Sequence, residues 1–192
     1  MIKKYEKLLK SPVFVSREEI NVIAIPQAES IHSKHATRNG RDLEMILRDT
    51  IPGTAMELAA AKALNGKLND AQFNPGVPMS YIYDVEAEDQ ALFEIKTSPQ
   101  EDKWLNFNIK GFGRPKGKRA DYSVFTKYNE NLDYLLTGYY DIVPEGFIVK
   151  FKFLIDSVSF KNYMAESKSG GMTTHYYNVP QASRDGVCIK LD

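Results

Sequence analysis

From Tyr81 to Ser98 the sequence YIYDVEAEDQALFEIKTS alternates apolar and charged positions on either side of a polar centre, the pattern of a β-hairpin. In the first arm Tyr81, Tyr83 and Val85 share one face while Ile82, Asp84 and Glu86 share the other. In the second arm Phe93, Ile95 and Thr97 oppose Leu92, Glu94 and Lys96. With the turn centred on Asp89, inside the polar run Ala87 to Gln90, antiparallel pairing sets Asp84 directly across from Glu94, their Cβ atoms roughly 4.5 to 5.5 Å apart. Lys96 stands one side-chain step further along the same face. Two carboxylates at that separation repel each other unless positive charge lies between them, and an all-oxygen donor set suits Mg²⁺ better than Zn²⁺. The spacing therefore predicts a metal site, with Glu86 as the alternative ligand in a register shifted by two residues.

A second carboxylate signal precedes the hairpin. The segment PGTAMELAAAKALNG, from Pro52 to Gly66, has proline in its first turn, alanine-rich propagation and a closing glycine, which predicts a helix. On that helix Glu57 shares a side with Gly53, Thr54, Ala60, Ala61 and Leu64, so its carboxylate projects from a small, largely apolar surface. A charge there needs a partner, and Lys62, five positions on, is poorly placed to be one.

Asp84, nine intervening residues, then Glu94-Ile95-Lys96 resembles the D…(D/E)xK signature of the PD-(D/E)XK nuclease superfamily. Tyr83 stands where the first letter of the signature would place proline. The pattern G…MEL…K…L.G around Glu57 looks like the helix that in this superfamily lends a glutamate to the metal site. The resemblance spans roughly residues 51–128 and, more loosely, the strands that follow. It implies an α/β fold, a mixed central β-sheet flanked by helices with a restriction-endonuclease-like core, and a metal-dependent nuclease acting on DNA. The catalytic set it implies is Glu57, Asp84, Glu94 and Lys96, with Mg²⁺, or Mn²⁺ in its place, held by Asp84, Glu94, the Ile95 carbonyl and Glu57, and with Lys96 positioning the attacking water. An RNA-cleaving member of the same fold, or a nuclease-fold protein that binds DNA without hydrolysis, remains the alternative.

With 192 residues, 43% hydrophobic and 26% charged, the chain suits one domain: a core at about 51–156, an N-terminal helical extension at 1–50 and a C-terminal segment at 157–192. The 25 basic and 25 acidic side chains cancel, so any surface for a polyanion must be local. It is found just after the hairpin, where Lys103, Lys110, Arg114, Lys116, Lys118 and Arg119 face only Glu101 and Asp102 within 98–119. There, the glycines of GFGRPKGKR allow a phosphate to approach backbone, and Lys110, Arg114, Lys116, Lys118 and Arg119 are the expected nucleic-acid contacts. The lone Cys188 excludes an internal disulfide and reads as filler in a C-terminal strand. No apolar run approaches the ~20 residues that span a bilayer, and MIKKYEKLLK lacks a signal-peptide centre, so a cytoplasmic protein without membrane partners is expected; the oligomeric state, a homodimer included, is open.

Elsewhere the pattern predicts a short N-terminal helix through Tyr5, Leu8 and Leu9, then a strand from Asn21 to Ile25 stopped by Pro26. His32 and His35 lie three apart in the polar run 27–41, where they read as solvated side chains. Residues 42–49 look helical, and ADYSVFTKY, from Ala120, reads as a strand, which the resemblance makes the sheet strand after Lys96 with Asp121 in an architectural role. Leu132 to Val143 and Phe147 to Ile155 form a second hairpin, with Phe147, Val149, Phe151, Phe153 and Ile155 on one packed face and Lys150 and Lys152 on a wet one. The segment 157–166 reads as a short helix, KSGGMTT as a flexible link and HYYNVP as a last strand in which His175 has no evident catalytic partner.

Overall fold

The computed structural model describes residues 2–39, 42–69, 83–97, 105–106, 132–157, 159–169 and 172–192. The chain opens with a 3₁₀ turn, Ile2–Lys4, and a single helical turn, α1 (Glu6–Leu9), followed by β1 (Val13–Ser16), α2 (Arg17–Asn39) and α3 (Leu43–Ala63). Then come β2 (Lys67–Leu68), β3 (Val85–Glu86), β4 (Leu92–Thr97), β5 (Leu105–Asn106), β6 (Tyr134–Val143) and β7 (Gly146–Asp156). A 3₁₀ turn at Phe160–Tyr163 leads to β8 (Met164–Ser169), β9 (Met172–Tyr177), α4 (Val179–Arg184) and β10 (Cys188–Lys190). The main sheet runs β1-β7-β6-β4-β3-β2, with β10 also pairing β7; β4 and β6 are parallel and the other pairs antiparallel. A second sheet orders β5-β9-β8. The fold is thus mixed α/β with helices flanking the main sheet. No helix among the described residues is long and apolar enough to cross a membrane.

The first 40 residues depart from the sequence reading. The strand is VFVS, and INVIAIP, expected as a strand ending at Pro26, lies inside α2. A capping box starts that helix: the Ser16 hydroxyl and backbone N–H both donate to Glu19 Oε2 at 2.9 Å, and Glu19 N–H donates to Ser16 Oγ at 3.2 Å. Val15 before the cap and Ile20 after its first turn are both fully buried in one core, a hydrophobic staple. From there Ile20, Ala24 and Ala28 recur every fourth residue with no exposure, whereas Val22 is 71% exposed. Pro26 deprives the Val22 carbonyl of its helical donor, but on so exposed a residue that carbonyl is open to water. The same reasoning corrects the second helix. Pro52 does not begin it; α3 starts at Asp42, whose carboxylate caps Met45 N–H at 2.7 Å, and Pro52 lies within it, above an exposed Arg48. Ser16→Ala is expected to lower unfolding free energy by about 1 kcal/mol, read by urea titration; an unchanged midpoint would mean that the staple alone starts α2.

The β6–β7 hairpin forms as expected around Pro144-Glu145, but its faces are not uniform. The ladder shifts between Thr137 and Gly138: Thr137 pairs with Phe153 and Gly138 with Phe151, leaving Lys152 as the extra residue of a β-bulge. Past that point the alternation reverses. Phe147, Val149 and Phe151 join the core under α3 together with Leu154, while Phe153 and Ile155 join a second core with Leu135, Tyr177, Val179, Ala182 and Cys188. Lys150 keeps its place on the exposed face, bonded to Asp141 at 2.8 Å, but Lys152 is only 3% exposed rather than wet. Gly138 allows α3 to come close, since a Cβ there would lie 2.9 Å from Met56 Cε and 2.5 Å from Lys150 O.

Toward the C-terminus, the expected helix at 157–166 is a 3₁₀ turn followed by β8, and of KSGGMTT the described residues lie in strands, Lys168 and Ser169 in β8 and Met172 to Thr174 in β9, with Ser169 opposite Met172. HYYNVP is not one strand: Asn178 caps α4 by accepting Gln181 N–H at 3.2 Å, and Pro180 occupies the first turn. The last strand is β10, in which Cys188 is buried. The strand expected from Ala120, with Asp121, lies outside the described residues.

Candidate active site

The β3–β4 hairpin pairs Val85 with Phe93 and Glu86 with Leu92, the expected register, and Asp84 lies just before β3. Val85, Phe93 and Ile95 are buried in the core beneath α3, so the alternate residues Asp84, Glu94 and Lys96 project from the other face. Two backbone links hold Asp84 at the mouth of this hairpin. Asp84 N–H donates to Phe93 O at 2.8 Å, and the Asp84 carboxylate accepts Ile95 N–H at 2.7 Å. Asn69, a residue the pattern did not single out, adds two more: its side-chain amide donates to Tyr83 O at 2.8 Å and its N–H to Asp84 O at 2.9 Å. Asn69 is 4% exposed, and only its place in a turn-rich run marked it in the sequence.

At the far end the turn is clamped. Tyr5 hydroxyl lies 2.8 and 2.9 Å from the two carboxylate oxygens of Asp89, which also pairs with Lys4. The Tyr5 ring packs edge-on against Phe93 and Tyr134, centroids 5.1 and 5.2 Å away. The hairpin is therefore tied at both ends and backed by aromatic packing.

Electrostatically, Asp84, Glu94 and Lys96 behave as one group. Burial pushes the Glu94 carboxyl up to about 7, the charge of Asp84 adding to the shift and Lys96 opposing it. Asp84 is raised by burial too, against the charge of Lys96 and its bond from Ile95 N–H. Burial pulls the Lys96 ammonium down, yet Glu94, Asp84 and, further off, Glu57 outweigh it and hold the ammonium above its ordinary value. Lys96 pairs directly with Glu94. Glu57 thus reaches the cluster as a field at Lys96, although α3 packs against the opposite face of β4. Its neighbours on the helix, Thr54, Ala60, Ala61 and Leu64, are buried, and so is its Oε2. Lys62 is engaged elsewhere, with Glu19 at 2.7 Å and Phe14 O at 3.2 Å.

A family model for bacteriophage T4 endonuclease IV matches residues 3–179. The chain belongs to that family. As a member of the T4 endonuclease IV family it is a nuclease, and its substrate is a nucleic acid. No curated protein matches the sequence. Of the sequence-expected residues of this endonuclease family member, Asp84, Glu94, Ile95 and Lys96 come together, with Glu57 within electrostatic reach. Glu86 takes no part; it pairs with Lys67 at 3.4 Å on the neighbouring strand. Lys110, Arg114, Lys116, Lys118 and Arg119 lie outside the described residues. His32 lies in α2, and the side chains of His35 and His175 are outside the described set.

Among the described residues no group of three or more His, Cys, Asp or Glu side chains is arranged to hold a metal. That does not disqualify Mg²⁺, which keeps several of its waters and is commonly bound through one or two carboxylates. Asp84 and Glu94 are such a pair: oxygen donors only, partly buried, and each raised toward its neutral form.

Proposed function

We propose that the chain is a Mg²⁺-dependent endonuclease of the PD-(D/E)XK type, with a restriction-endonuclease-like core, that hydrolyses phosphodiester bonds, DNA being the favoured substrate. The observation that carries this reading is the gathering of Asp84, held by Ile95 N–H, with Glu94 and Lys96 in one electrostatic cluster at the β3–β4 hairpin. Asp84, Glu94 and the Ile95 carbonyl would hold the ion, with Glu57 contributing directly or through water. Bound there, Mg²⁺ would supply a Lewis acid for the phosphoryl oxygen and lower the pKa of a coordinated water. Lys96, kept protonated by its carboxylate neighbours, acts as a cation rather than as a base: it orients the attacking water and offsets charge building on the phosphate. The aromatic backing of Phe93 and the bond from Ile95 N–H keep the two carboxylates in place without reorganisation.

The nucleic acid would run over the basic segment, where Lys110, Arg114, Lys116, Lys118 and Arg119 meet phosphates. Replacing Arg114, Lys116, Lys118 and Arg119 by alanine is expected to flatten the salt dependence of duplex binding, each lost contact lowering the log–log slope by about 0.9. An unaltered slope would put the DNA elsewhere.

Incubating purified protein with labelled single-stranded DNA, duplex DNA and RNA, with and without Mg²⁺ or Mn²⁺, tests the reading. Cleavage that requires the cation is expected. Cleavage undiminished by chelator would refute the metal dependence. Binding without hydrolysis of any substrate would refute the enzyme and leave a likeness of fold. In the same assay Glu57→Gln is expected to raise the Mg²⁺ concentration needed for half-maximal cleavage while the protein stays folded. An unchanged magnesium titration would remove Glu57 from the site.

A further inference from the structure

Thr137 is 1% exposed, and its hydroxyl is a buried polar atom with no hydrogen-bond partner among the described residues. Burying a hydroxyl without a partner is unfavourable, so such a group calls for an explanation. Its position in the sheet supplies one. β4 and β6 are parallel and Lys96 pairs with Thr137, so the two side chains leave the same face of adjacent strands, about 4.8 Å apart along the hydrogen-bonding direction. Leu135, two residues before Thr137, pairs with Glu94 on that face. The bulge beside Thr137 lies in β7, so on β6 the alternation runs on unbroken and Thr137 keeps the face of Leu135. The hydroxyl is therefore a neighbour of the ammonium's own strand position, within the sweep of its four-carbon stem.

Lys96 pairs directly with Glu94. A cation on Glu94 would take over that carboxylate and repel the ammonium, which must then find another acceptor. We propose that Thr137 is this acceptor: its hydroxyl is the second rest of Lys96, received from Glu94 when the metal enters, and the hydrogen bond aims the ammonium at the phosphate. Thr137 is a positioning residue that acts through Lys96. The unpartnered Thr137 hydroxyl is the second half of a two-position arrangement, and this role rests on the Mg²⁺-nuclease reading above.

The test is a double-mutant cycle on Mg²⁺ affinity, measured by calorimetry, together with melting temperature and cleavage kinetics. Thr137→Val keeps the shape and removes the hydroxyl. It is expected to melt at or above the parent's temperature without metal, to bind Mg²⁺ about tenfold more weakly, and to lose kcat with KM for the nucleic acid unchanged. Thr137→Ser restores both. In a Lys96→Ala background, where no ammonium needs rehousing, Thr137→Val is expected to leave Mg²⁺ affinity unaltered. Parent-like Mg²⁺ binding by Thr137→Val, or an equal loss with and without Lys96, would overturn the assignment of Thr137 while the parent's cation-dependent cleavage left the nuclease reading standing. A parent that neither binds Mg²⁺ nor cleaves any nucleic acid would overturn both.

Discussion

Lys96→Ala is expected to lower phosphodiester cleavage by about 10²- to 10³-fold, the cost of removing one preorganised charge from a transition state, while nucleic-acid affinity stays within a few-fold of the parent. The separation of the two effects follows from where the groups sit. Lys96 is half-exposed but paired with Glu94 and beside Asp84, so its charge is largely offset before substrate arrives and adds little to long-range attraction. Single-turnover rates at saturating substrate, with binding measured separately in Ca²⁺, would give both numbers. A variant that loses affinity and rate in equal proportion would make Lys96 a simple phosphate anchor; one that cleaves like the parent would end its catalytic role. Glu94→Ala is the contrasting substitution, because it removes a proposed ligand and should fail at metal binding itself.

The second large effect concerns stability against pH. Glu94 is lifted from its ordinary 4.5 to about 7, chiefly by burial, so between those values the folded protein holds a proton that the unfolded chain has released. Stability from this group is complete below 4.5 and is lost as pH rises through 7, about 3 kcal/mol in all. Asp84 is shifted in the same direction. Glu19, held down to about 2 by Lys62 and by Ser16, works in the opposite sense, but its stabilisation is lost only as pH falls below 4.5, outside this window. In urea titrations from pH 4.5 to 8, the metal-free parent should weaken relative to Glu94→Gln, the variant becoming the more stable of the two above pH 7. Adding Mg²⁺ at pH 8 should stabilise the parent alone. A difference between parent and variant that does not change with pH would show that the Lys96 pairing already cancels the burial cost.

The hairpin was legible because its two signals agree: period-two alternation and a polar centre fix one register, and Val85↔Phe93 is that register. The second hairpin was legible in its turn but not in its faces, since nothing in FIVKFKFLID marks Lys152 as an inserted residue. Alternation continues through the bulge in sequence while the side chains change sides. At the N-terminus the reason is different. INVIAIP is dense in β-branched residues and ends in proline, which local preference assigns to a strand; the capping box SREE and the staple from Val15 to Ile20 outweigh it, and both were present in the sequence. Glu57 was found from its surroundings on the helix wheel, whereas its distance from the hairpin depends on how closely Met56 can approach Gly138, a matter of tertiary packing.

The clamp between Tyr5 and the hairpin turn also bears on how the protein is assembled in time. Its bonds to Asp89 close a loop of 84 residues, and the ring supplies one wall of the aromatic packing behind Glu94. Contacts so distant in sequence are entropically late in folding. The hairpin can form its turn locally, but its carboxylates gain their fixed backing only when the chain's opening residues dock. The fixing of Asp84 and Glu94 is thereby tied to the docking of a residue that stands 84 positions from the turn.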